Sequence, residues 1–114
     1  MIKPVPLYTM IDQYEFVPQA IFAETVHELA KRFGSNVENG HDDLDAYQGA
    51  AAWLDEFPFA VMHYRGHPAD TSTIYLPLDI IDVDKITDIV SRIASELKLS
   101  SRSVTWQRKN NLAL

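Results

Sequence analysis

Ile86, Ile89, Val90, Ile93, Ala94 and Leu97 recur every three or four residues, the period of one helix face. They predict a helix that begins at a cap on Asp82 or Asp84 and runs to Leu97. The stretch before it has another period. Residues 57–65 are almost continuously apolar until His63 and read as a strand. Phe57, Phe59, Val61, His63 and Arg65 share one face; Pro58, Ala60, Met62 and Tyr64 share the other. Residues 71–78 alternate Ile74, Leu76 and Leu78 against Thr73, Tyr75 and Pro77. The short connection 66–70 makes the two runs an antiparallel hairpin. Residues 102–108 predict a last strand with Val104 and Trp106 on one side, and residues 110–114 a frayed tail.

The first half reads differently. Residues 5–11 alternate as a strand, and Pro4 and Pro6 push its entry toward a sheet edge. Residues 18–33 carry an apolar stripe of Phe22, Val26, Leu29, Ala30 and Phe33, with Pro18 at the start and Gly34 at the end, and predict a helix. Residues 34–41 form a loop around Asn39-Gly40. A second helix is expected over 43–56, capped by Asp42. Its rows Leu44, Tyr47, Ala51, Leu54 and Ala46, Ala50, Trp53, Phe57 call for two neighbours. The small residues 49–52 would let another backbone approach closely.

Set aside that second helix and the order is βαββαβ. The expected fold class is therefore α+β: a ferredoxin-like (split βαβ) order with one extra helix. A four-stranded, mostly antiparallel sheet packs against helices in a single domain over residues 1–114. The strand 57–65 is apolar on both faces, so its sheet should be covered on both. If Ala60, Met62 and Tyr64 join Ile74, Leu76 and Leu78 under the helices, then Phe57, Phe59, Val61 and Tyr75 form the opposite face. The second helix or an identical sheet from another subunit would have to cover that face.

Composition narrows the picture without naming a function. The chain has 114 residues, 46% hydrophobic and 23% charged, enough for one core and unlike a disordered segment. It has no cysteine, which excludes a disulfide framework, a thiolate zinc site and a cysteine nucleophile. That suits a reducing compartment. No apolar run approaches the ~20 residues of a membrane span, and the first residues lack the apolar core of a secretory signal. The expectation is a soluble cytoplasmic protein without membrane contact.

The net charge of −6 is uneven. Residues 1–57 carry three Lys/Arg and ten Asp/Glu, a balance of −7; residues 58–114 carry seven and six, a balance of +1. Nucleic acid is disfavoured as a partner, because phosphates need a basic stripe. Arg102, Trp106, Arg108 and Lys109 are too small a footprint to reverse this. The acidic half suits a basic protein partner, although solubility alone explains acidic balance.

No catalytic motif occurs. Asp42, Asp43 and Asp45 crowd the start of the expected second helix, where its dipole favours carboxylates. A metal site from His41, Asp43 and Asp45 is disfavoured, since neighbouring helical residues diverge. No metal or cofactor is expected. The nearest thing to a ligand site is His63, Arg65, Tyr75 and His67. Alternation sets His63 and Arg65 on one side, near Thr73 and Tyr75 of the next strand, as an imidazole, a fixed cation and a phenol.

Two functional readings follow. The first, which leans away from an enzyme, is a non-enzymatic protein-interaction module of accessory, antitoxin or immunity type, or a self-associating protein such as a homodimer. Its interface would include Asp42, Asp43, Asp45, Trp53, Phe57 and Phe59. The alternative is a small-molecule-binding protein or enzyme. Its apolar pocket would lie between the sheet and the second helix, rimmed by His63, Arg65 and Tyr75.

Overall fold

A computed structural model describes residues 1–42, 45–99 and 103–107. In chain order the elements are β1 (Ile2–Val5), α1 (Leu7–Gln13), β2 (Phe16–Phe22), α2 (Val26–Arg32), β3 (Glu38–His41), β4 (Ala46–Leu54), β5 (Phe57–Tyr64), β6 (Ser72–Pro77), α3 (Val83–Glu96) and β7 (Val104–Gln107). Among the described residues the fold is α+β, with three helices around one antiparallel sheet. The sheet has seven strands where four were expected. Its order is β1-β4-β5-β6-β2-β7, and β3 pairs β4 alongside β1, so the split βαβ arrangement is not found. Among the described residues, no helix is long and apolar enough to cross a membrane.

The second half follows its sequence pattern. Asp82 caps α3, its carboxylate accepting from the amides of Asp84 and Lys85. Ile86, Ile89, Val90 and Ile93 turn inward. β5 and β6 pair as the expected antiparallel hairpin, and β7 forms within the expected last strand. The faces, however, are assigned differently. Val61 pairs with Ile74 and Ala60 with Tyr75. Phe59, Val61, Ile74 and Leu76 therefore share one face, and Ala60, Met62, Tyr64 and Tyr75 the other. A change of one residue in pairing exchanges every side chain between faces. Leu78 falls beyond the end of β6 and is exposed.

The first half departs more. The helix expected over 18–33 is a strand, β2, followed by the shorter α2. Thr25 ends the ambiguity, because its hydroxyl accepts from the Glu28 amide at 3.1 Å and starts the helix at Val26. The strand expected over 5–11 splits into β1, which ends at Val5, and α1. α1 has only seven residues and its N-cap, Pro6, offers no side chain to its free amides. The carboxylate of Glu38 takes that role, accepting from the amides of Leu7 and Tyr8. A helix so short needs such outside support.

The helix expected over 43–56 is β4, an interior strand paired with β5 on one side and with β1 and β3 on the other. Helix propensity favours its alanines, but packing overrides it. Ala50, Ala52 and Leu54 face α2 and α3 in the larger core, with Phe22, Phe59, Val61 and Leu76. Ala51 faces the other way, against Leu7 and Met10 of α1, with Ala60 and Met62. The β4–β5 part of the sheet is thus covered on both faces, but by α2 and α3 on one and α1 on the other, not by a Trp53-bearing helix. Small residues let these layers close. A Cβ on Gly49 would lie 2.7 Å from Leu7 Cδ2 and 3.1 Å from both Met62 Cγ and the Val61 carbonyl oxygen. Gly49→Ala should therefore destabilise the protein by about 1–3 kcal/mol, as overpacking does. Urea unfolding reads this directly; a gain in stability would mean that α1 yields without cost.

Candidate functional site

The residues expected to form one site divide between the two faces of the sheet. His63 follows Val61 by two and keeps its face; Tyr75, opposite Ala60, lies on the α1 face. The expected convergence of His63, Arg65 and Tyr75 does not form. The pocket between the sheet and a second helix has no counterpart, because that helix is β4.

His63 and Arg65 instead line a cleft of about 370 Å3, shared with Asn39, Ala46 and Gln48. His63 Nε2 sits 3.1 Å from the Pro68 carbonyl oxygen. Arg65, with a side chain 80% exposed, pairs with Asp45 at 3.3 Å. The sequence pattern sets Asn39 in a loop and Gln48 in a helix, which hides both from the cleft. Their signal was available only once β3, β4 and β5 were known to be adjacent.

Tyr75 and His67 line a second cavity on the other face, a groove of about 490 Å3 with Pro18, Ile21, Thr73 and Trp106. Its origin is geometric. α1 spans the β4–β5 part of this face, and among the described residues no helix packs on the β6–β2–β7 part beside it. Register sets Ile21 between Thr73 and Trp106, so these three side chains form a row across the groove. Trp106 is 42% exposed.

The α1 side of the sheet also carries a group of phenols, Tyr47, Tyr64 and Tyr75, packed against its apolar cluster. The rings of Tyr47 and Tyr64 meet at 5.6 Å between centroids, and His67 lies 5.6 Å from Tyr64. Tyr47 can lie flat because its cross-strand partner is Gly40, whose absent Cβ would overlap the ring. The Tyr64 hydroxyl donates to Asp42 Oδ2 at 2.6 Å. Burial first, then Asp42, holds the Tyr64 phenol well above its ordinary range. Tyr75 is raised by burial and then Asp42, Tyr47 by burial and then Asp42 and Glu38.

Phenols whose folded pKa is raised stabilise the protein fully below the unfolded value of about 10, and that stability is lost as pH rises beyond it. Melting temperatures should accordingly begin to fall as pH rises through about 10 and keep falling toward the raised folded values of the phenols. Asp42→Asn removes both the acceptor and the charge. It should bring phenolate absorbance in at lower pH; an unchanged titration curve would disconnect Asp42 from the phenols.

The expected interface residues are mostly engaged within the chain. Asp42 serves Tyr64 and also accepts from the Asp45 amide at 3.2 Å, and Asp45 serves Arg65. Asp43 lies outside the described residues, as do Arg102, Arg108 and Lys109. Trp53 is half-buried with its ring edge-on to Tyr14 at 6.2 Å. Phe57 is half-buried beneath the Lys85 ammonium at 5.0 Å. Phe59 is fully buried under the helices and cannot meet a partner.

Comparison with known proteins returns no matching family model, curated protein or solved structure.

Proposed function

We propose that this chain is a non-enzymatic protein-interaction module that receives an extended, apolar segment of a partner protein on the open half of its aromatic face. One observation carries the reading: the seven-residue α1 stops short, and the groove beside it leaves Trp106 42% exposed. Apolar surface left in water costs roughly 25 cal/mol per Å2, and tryptophan is among the residues that dominate binding interfaces. Among the described residues β7 is the outermost strand of the sheet order, so a partner strand can add to its edge while alternate side chains enter the groove. The charge balance of −7 over residues 1–57 favours a basic partner. An accessory, antitoxin or immunity-type role in the cytoplasm fits such a surface, and a homodimer is its self-associating form.

Selection of a displayed random-peptide library on the wild-type protein, with Trp106→Lys as counter-target, tests the reading. Enriched peptides should alternate apolar and basic residues, and Trp106→Ala should weaken their binding at least about tenfold. Peptides that bind Trp106→Lys equally well would overturn it. Native mass spectrometry decides the homodimer form separately, since a strict monomer removes that form alone.

A further inference from the structure

The cleft on the opposite face from the groove is a site of its own. Asn39 is the register partner of Gln48, and Gln48 is the partner of His63. Side chains so paired on one sheet face stand about 4.5–5.5 Å apart at Cβ. Two carboxamides and an imidazole are therefore within reach of one small molecule, with Arg65 at the end of the same cleft. Its volume, about 370 Å3, is within the range of small-molecule sites.

The hydrogen-bonding state of the row defines what it would take. A carbonyl oxygen only accepts, so the contact with Pro68 places the proton of a neutral His63 ring on Nε2. Nδ1 is left as an acceptor and needs a donor from the ligand. The carboxamides of Asn39 and Gln48 bond no other described residue through their side chains. Arg65 uses one guanidinium nitrogen on Asp45, in an exposed pair of the kind worth about 0–1 kcal/mol. Its remaining donors suit a carboxylate, held in the two-pronged geometry that guanidinium allows. We infer that this cleft binds a small 2-hydroxycarboxylate. The carboxylate lies on Arg65, the hydroxyl donates to His63 Nδ1, and the carboxamides bond its remaining oxygens.

The inference does not rest on the groove reading. Glycolate titrated into nitrogen-15-labelled protein tests it. Saturable amide shifts are expected at Gln48, His63 and Arg65, and none at Ile21 or Trp106. Acetate, which lacks the hydroxyl, should bind about tenfold more weakly, the effect of one lost hydrogen bond. Arg65→Met, at an exposed position that does not threaten the fold, should abolish saturation. Equal responses to glycolate and acetate, shifts that never saturate, or saturation that survives in Arg65→Met would each overturn the site.

Discussion

Phe59→Ala is expected to destabilise the protein by about 3–5 kcal/mol, as removal of a buried phenyl ring does. Phe59 is fully buried, and its ring meets that of Phe33 edge-on at 5.9 Å. Phe33 follows directly on α2, so the pair joins that helix to the centre of the sheet. Collapse around the vacated space is limited, because the neighbours Val61, Ile74 and Leu76 are held in strands. Domains of this size have total stabilities of about 5–15 kcal/mol, so this one ring accounts for a large share. Phe57→Ala, two residues earlier and half-buried under Lys85, should cost much less. The contrast tests the architecture. A Phe59 on an outer, partner-facing surface would leave monomer stability nearly unchanged and affect association instead. Urea unfolding of both variants separates these outcomes, and a loss below about 1 kcal/mol for Phe59→Ala, the size typical of surface changes, would place the ring outside the core.

How much of this was legible in the sequence depends on where each decisive contact comes from. α3 could be read because its stripe and its cap, Asp82, are local. The β5–β6 hairpin could be read because both strands are dense in branched and aromatic residues. α1 could not: Val5, Leu7, Thr9 and Ile11 alternate like a strand, and the group that settles the helix is Glu38, 31 residues away. β4 could not either, since four small residues in a row favour helix until helices close on both sides. The start of α2 is written locally, as Thr25 with Glu28 three positions on is a known N-terminal signature, but the longer apolar stripe of residues 18–33 masks it.

The candidate sites divide on the same lines. The shared face of His63 and Arg65 follows from period two within one strand. The separation of Tyr75 from them follows from register between strands, which no single-strand pattern contains. Asn39 and Gln48 enter only through the pairing of β3 with β4 and β4 with β5.

Gln19→Met should stabilise the protein by about 2–4 kcal/mol. Gln19 is fully buried, and neither its amide nitrogen nor its amide oxygen has a hydrogen-bond partner among the described residues. It stands at the β-bulge where the β2–β6 register shifts between Pro18 and Ala20. Each buried polar group left unpaired costs about 1–3 kcal/mol. Methionine keeps an unbranched side chain of nearly the same length and removes both polar groups, so the transfer penalty disappears without a new cavity. Gln19→Ala removes the same groups but leaves a space, and should be clearly less stable than Gln19→Met. The pair of variants separates desolvation from packing, with thermal and urea unfolding as the readout. The bulge borders the proposed groove through Pro18, so the same variant also bears on peptide binding. If Gln19→Met gains stability and also weakens binding of groove-selected peptides, the buried amide shapes the groove through the bulge. If it gains stability and leaves binding unchanged, Gln19 is a local defect of the core. A loss of stability on Gln19→Met would show that the amide is satisfied in solution and that the bulge depends on it.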